Sequence, residues 1–342
     1  MGQSAFRLLA LAVLTFVGGR VVSLRAQGVG VETVAAAAGH GAAGAFVLSA
    51  LPNALQAAGQ TEVEPQNVLP TFVDLTPDEL GKRVHELKHL KPAKDQALLP
   101  MILKRVGNAV VEFFGGFPST TCSEHVSTLI DMGRDPLPLG SRFNYVALVR
   151  PGQKDGPLEE FRTDSKGQPA RLRGLILTSG FVSLITHFRP VYQADSRFRY
   201  LGREMVNKEN TYVLAFAQRP GARQAEEVRS GGRTGFVLLQ GVAWIAPRSF
   251  QIVRLRTEIE QPDPSLGLST ETTQVDYAPV SFKRDRKVLW LPREVTVSGK
   301  LRQFAFTNQH RYSQYRLFVV EAGEKQKDVP RSSGAENGPP PG

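Results

Sequence analysis

Between Arg142 and Val319 the chain offers eight runs rich in β-branched and aromatic residues, separated by Gly, Pro, Asp and Asn. The runs span 142–149, 198–205, 211–218, 236–246, 250–259, 269–277, 288–298 and 303–319. Parallel strands need crossovers of about a dozen residues or more, and most of these connections are shorter, so the order implies an antiparallel meander. From Gly241 to Arg254 a hairpin is explicit, with Ala246-Pro247-Arg248-Ser249 as its turn. After that turn Val253, Leu255 and Ile259 alternate with Arg254, Arg256 and Glu258, and later Val295 and Val297 alternate with Glu294, Thr296 and Ser298. Such alternation predicts one buried and one solvated face. The Arg-, Gly- and Glu-rich stretch 219–234 reads as a loop, and no repeat of fixed period is present. The expectation is a sheet that curls into an open barrel with a wet convex side.

Two helices precede this body. Thr76-Pro77-Asp78-Glu79 supplies an N-cap, a first-turn proline and the returning Glu of a capping box. Leu80, Val84, Leu87 and Leu90 then recur at helical spacing until Pro92. The second helix starts near Pro100 and carries Ile102, Val106, Val110 and Phe113 as a stripe, widened by Leu103 and Phe114 and stopped by Gly115-Gly116. That stripe packs on the sheet or lines a ligand cavity. A shorter helical period runs from Phe181 through Leu184 to Phe188.

The ends read differently. Arg7 precedes the uncharged run Leu8 to Val17, closed by Gly18-Gly19, the pattern of a signal peptide. The run is too short for the roughly 20 residues that cross a bilayer, so cleavage near Ala26 is expected. No cysteine stands near that junction to carry a lipid, and the mature chain is expected to hold no transmembrane segment. The domain plan is a signal peptide at 1–26, an Ala/Gly-rich linker at 27–70, a folded domain at 71–320 and a disordered tail at 321–342. A second weak hydrophobic segment, Phe46 to Leu51, is the alternative reading within the linker.

Lys and Arg outnumber Asp and Glu by 42 to 32. The basic residues are interleaved with Asp78, Glu79, Glu86, Asp95 and Asp285, and no reading motif accompanies them, so no nucleic-acid partner is expected. Cys122 is the one cysteine, which excludes an internal disulfide and a thiolate zinc site. His85-Glu86-Leu87-Lys88-His89 matches the spacing of a zinc-hydrolase helix, in which two His one turn apart bind the metal and Glu activates water. Proximity of Lys88, the stop at Pro92 and the lack of a third-ligand motif weigh against it. His187 and His310 read as structural or surface residues rather than bases, no nucleophile elbow or phosphate loop is present, and no cofactor is expected.

Tyr200-Leu201-Gly202-Arg203-Glu204, Thr211 to Gln218, Gly241 to Ile245 and Phe250 to Arg254 together resemble the outer-membrane lipoprotein-sorting carrier superfamily. Leu289 to Val295 and His310 to Phe318 are similar to a group of secreted bacterial proteins of this kind. Ala246 stands where the carriers usually have an acidic residue. The resemblance implies an α+β fold: a curved antiparallel half-barrel covered on its concave face by helices, which accepts acyl chains. On that reading the chain is an exported, periplasmic or extracellular, non-catalytic binder of a lipid or lipoprotein. Its pocket residues are Ile102, Val106, Val110, Phe113, Phe181, Leu184, Phe188 and Trp244. An envelope protein-interaction module of the same fold is the alternative, and a zinc hydrolase with His85 and His89 the third.

Overall fold

Strand after strand of alternating residues joins in one open antiparallel sheet of eleven strands. The computed structural model describes residues 70–318 except 132–136, 149–157, 171–177, 179, 224–225, 231–232, 263 and 284–285. It also describes the strand fragments Phe16–Val17 and Arg20–Val21. Apart from those fragments and residue 70, the expected signal peptide, linker and tail lie outside the described residues.

The strands are β1 (Lys91–Pro92), β2 (Thr120–Asp131), β3 (Leu137–Leu148), β4 (Glu159–Thr163), β5 (Ser196–Val206), β6 (Glu209–Gln218), β7 (Glu226–Ser230), β8 (Arg233–Val237), β9 (Leu239–Ile245), β10 (Ile252–Ile259), β11 (Leu268–Phe282), β12 (Lys287–Leu301) and β13 (Phe304–Leu317). Their order across the sheet is β1-β5-β6-β9-β10-β11-β12-β13-β2-β3-β4, and β7 and β8 form a separate hairpin. The stretch expected to be a loop is therefore partly that hairpin, and the run 236–246 divides between β8 and β9. β2 and β4 went unrecognised because Thr, Ser, Glu and His occupy positions where an ordinary strand would show Val or Ile.

The chain crosses the sheet twice. Helix α2 (Leu99–Gly115) leads from β1, at one edge, to β2 on the far side. A second crossing returns from β4, at the other edge, to β5 through the 3₁₀ turn Ser183–Phe188 and α3 (Pro190–Gln193). Both lie on one face, here the inner face, where Val106, Val110, Phe113, Phe181 and Phe188 share a core with Leu214, Phe216, Leu255, Val275 and Val297 of the sheet. α2 has the boundaries that its stripe and glycines specify. At Gly107 a Cβ would lie 2.7 Å from Gln193 Nε2 and 3.2 Å from the Phe188 carbonyl, so glycine lets the two crossings touch.

The outer face is not uniformly wet. Val213, Ala215, Val242, Trp244 and Val253 point outward into a second core closed by Phe72, Leu80, Val84 and Leu87. Their cover is the strap 70–90, which contains α1 (Pro77–Arg83) with the expected capping box. α1 stops before Val84, which adopts φ −115° and ψ 94°, and a 3₁₀ turn His85–Leu87 follows. Pairing of β1 with β5 at Lys91 and Arg203 pulls the chain out of the helix that its apolar spacing would continue to Leu90. Arg256 and Glu258, read as solvated, are partly buried under α1, where Arg83 meets Glu258 at 3.3 Å and Arg256 meets Glu86 at 3.8 Å. Alternation along a strand tells which face a residue joins but not what covers that face.

Phe72 is fully buried, its backbone N–H donates to Gln240 Oε1 at 2.8 Å, and the Arg83 guanidinium stacks on its ring. Replacing Phe72 with Ala should cost about 3–5 kcal/mol in urea unfolding. It should also shift Trp244 fluorescence to longer wavelength; unchanged stability and emission would show that the strap does not close this core.

Candidate functional site

Of the expected pocket residues, the structure brings Ile102, Val106, Val110, Phe113, Phe181 and Phe188 together on the inner face, with Leu184 packed against them. Trp244 does not join them. It lies in the outer core, where its indole Nε1–H donates to Glu204 Oε2 at 2.8 Å. Its neighbour Ile245 faces inward, so the expectation named the wrong member of an alternating pair. Ile102, Val106 and Phe188 are 0% exposed, which leaves no water-sized space beside them. Around these three side chains the inner groove is filled in this conformation.

What closes it is separable from the sheet. The backbone hydrogen bonds found for α2 stay within the helix and its flanks. Gln193 Nε2 donates to the Leu103 and Phe188 carbonyls, both at 2.9 Å, and so clasps the two crossings to each other. Lys287 Nζ donates to the Gly116 carbonyl at the helix end. The turn at Gly180–Ser183 is tied down more firmly. Glu160 accepts from Val182 N at 2.9 Å, Ser183 N at 2.8 Å and Ser183 Oγ at 2.6 Å, while Tyr277 donates to the Phe181 carbonyl at 2.8 Å.

Beneath that turn lies a charged network inside the inner face. Glu124 on β2 accepts from Arg162 Nε at 2.6 Å, from Arg162 Nη2 at 2.8 Å and from the Tyr312 hydroxyl at 2.8 Å. His310 Nδ1 lies 2.8 Å from Glu124 Oε1. Burial alone would raise the Glu124 carboxyl, but the Arg162 charge and the His310 and Arg162 hydrogen bonds outweigh it and hold the group down to about 2. Burial raises Glu160, although Ser183, Tyr145 and Val182 oppose the shift. His187 is lowered to about 4 by burial, and its Nδ1 meets Gln218 Nε2 at 3.4 Å. The Nδ1 atom of His310 thus meets a carboxylate and that of His187 an amide.

Sequence reasoning placed His310 as a structural or surface residue and did not see its partners. β13 pairs with β2 so that Tyr312 stands opposite Glu124, and β3 pairs with β4 so that Tyr145 stands opposite Arg162. Only that register unites them. A lone glutamate at a buried position of an alternating strand was the available signal.

The zinc reading of His85 and His89 is not supported. Its segment is a 3₁₀ turn rather than an α-helix, Glu86 pairs with Arg256, and the His89 N–H donates to Glu204. Among the described residues no group of three or more His, Cys, Asp or Glu side chains could hold a metal ion. Cys122 is buried beside this network, and burial pushes its thiol up to about 12. Elsewhere, an open cleft of about 400 Å³ lies between the β5–β6 turn and the β11–β12 hairpin, lined by Val206, Lys208, Val253, Pro279, Trp290 and Arg293.

No family model and no curated protein matches the chain. Solved structures do. A domain from Vibrio parahaemolyticus that carries the name of an outer membrane lipoprotein-sorting protein matches with a TM-score of 0.35 and 10% identity, covering 65% of this chain and 95% of that one. A LolA superfamily protein from Nitrosomonas europaea matches with a TM-score of 0.33 and 12% identity, over 64% and 94% of the two chains. A DUF1329 family protein from Desulfovibrio piger gives 0.33 and 13%, over 64% and 95%.

Glu124 supplies a pH test. Its folded-state carboxyl lies below the ordinary value of 4.5, so its stabilising contribution is complete above that value and is lost as pH falls toward about 2. Glu124→Gln should cost about 3–5 kcal/mol at neutral pH, because Arg162 is left buried without its counter-charge, and should flatten the acid limb of the stability curve. An unchanged acid limb would show that the carboxylate is not held ionised.

Proposed function

We propose that this chain is an exported, non-catalytic binding protein that takes an apolar ligand, an acyl chain, lipid or lipoprotein, between the inner face and its two crossings. The supporting observation is an inner face that is apolar along α2 and is roofed by α2 and residues 180–193, elements that stand outside the sheet and meet it mainly through side chains. No helix among the described residues is long and apolar enough to cross a membrane.

Magnitudes define the ligand. Lifting α2 uncovers Ile102, Val106, Val110 and Phe113, a loss on the order of 8 kcal/mol at about 2 kcal/mol per side chain. Each methylene buried in their place returns about 0.8 kcal/mol, so roughly ten methylenes are needed to offset opening. The empty protein stays shut, and short chains do not open it.

A second reading, a protein-interaction module of the envelope, is favoured by the filled inner core and by the open cleft at Trp290 and Arg293. Lipid-free protein that binds a membrane partner, and loses it on Trp290→Ala, would favour that reading.

Native mass spectrometry after mild extraction should find co-purifying lipid, and a fluorescent long-chain fatty acid should bind with affinity that rises steeply beyond about ten carbons. Gln193→Ala removes the clasp between the crossings without altering the groove walls, and should speed uptake several-fold. Absence of both co-purified lipid and uptake would refute the proposal.

A further inference from the structure

The inner groove is apolar along α2 but polar at the end where Phe181 sits. The Phe181 ring lies 5.2 Å from the His310 ring, 6.3 Å from Tyr145 and 6.4 Å from Tyr312, and so caps the Glu124 network. Glu124 is fully used by Arg162, His310 and Tyr312. Arg162 directs Nε and Nη2 to Glu124 and Nη2 also to the Thr178 carbonyl at 2.8 Å. Two atoms remain buried without a hydrogen-bond partner: Arg162 Nη1 and His310 Nε2. An unpaired buried polar atom is costly, and the closed state leaves two such groups to be satisfied when the cap is withdrawn.

We infer, resting on the apolar-ligand reading above, that this end is a head-group site in which Arg162 Nη1 and His310 Nε2 hold an amide or hydroxyl head and disfavour carboxylate, sulfonate or phosphate. Arg162 can only donate. The Glu124 carboxylate can only accept when ionised, so the His310–Glu124 bond places the ring proton on Nδ1 and leaves Nε2 of a neutral ring as an acceptor. Burial lowers the His310 pKa, with the Glu124 hydrogen bond opposing, in keeping with a neutral ring. A group that fits both atoms must accept from Arg162 and donate to His310, as an amide or a hydroxyl does. Arg162 and Glu124 already cancel each other's charge, so an anionic head would enter without a free counter-charge and facing the Nε2 lone pair.

The test compares one long alkyl tail carrying an amide, a hydroxyl, a sulfonate or no head, titrated into the full wild-type chain. In parallel, ¹⁵N-histidine NMR follows His310 Nε2, assigned by the peak lost in His310→Asn. Amide and alcohol should bind about tenfold or more tightly than sulfonate and bare hydrocarbon, and should move the Nε2 resonance, which the hydrocarbon should not. Equal binding of all four, with Nε2 unmoved, overturns the head-group site and leaves the apolar-ligand reading standing. Preference for the sulfonate also overturns it. Failure of every ligand to bind removes the apolar-ligand reading, and this site with it.

Discussion

An apolar sheet face must be covered, and here two crossings outside the sheet cover much of the inner one, with Val228 and Val237 of the β7–β8 hairpin and Leu266 packed into the same core. α2 and the return crossing at 180–193 exist because the chain must pass from one edge of the sheet to the other twice, and each passage buries what lies below. Nearly everything distinctive about the molecule follows from that economy. Side chains rather than a hydrogen-bonded ladder join the roof to the sheet, so it is the part most readily displaced without unpairing strands. On the outer face the strap 70–90 has an analogous task, but Phe72, the Arg83–Glu258 pair and the Arg197–Asp74 pair at 2.6 Å fasten it along its length.

Charge sits where burial makes it consequential. The inner face holds a carboxylate, a guanidinium and an imidazole in mutual contact, an arrangement whose net gain over an apolar replacement is small but which is costly to break. Its value is in specificity: the network fixes β2, β4 and β13 in register and presents a defined set of donors and acceptors at one end of an otherwise apolar groove. Glu271 is a separate case. Burial, reinforced by Glu226 and opposed by Thr273 and Thr178, raises it to about 8.

Much of the fold was legible because it is local. The Val295, Val297 alternation located inward positions, and the α2 stripe with its terminal glycines located a helix that the structure places at Leu99–Gly115. Val253 and Leu255, expected on one face, lie on opposite faces, because the β9–β10 register shifts between Trp244 and Ile245. What was not legible is what depends on pairing at a distance. Glu124 and Tyr312 are 188 residues apart, and Trp244 and Glu204 are 40 apart, yet each pair forms a buried hydrogen bond. The same limit explains Trp244: its hairpin was evident, but which face the helices cover is decided by the crossings and not by β9.

Displacement of the roof by an amphiphile is the central claim, and a distance measures it directly. Val111 on α2 and Leu129 on the outer side of β2 are both exposed, at 44% and 46%, and can be replaced by Cys to carry spin labels. Buried Cys122, its thiol pushed up to about 12, stays unlabelled. Pulsed electron–electron spin resonance should show one distance in lipid-free protein and a second, changed distance when a long-chain amide is added. A distribution that stays the same while the amide is demonstrably bound would contradict the account.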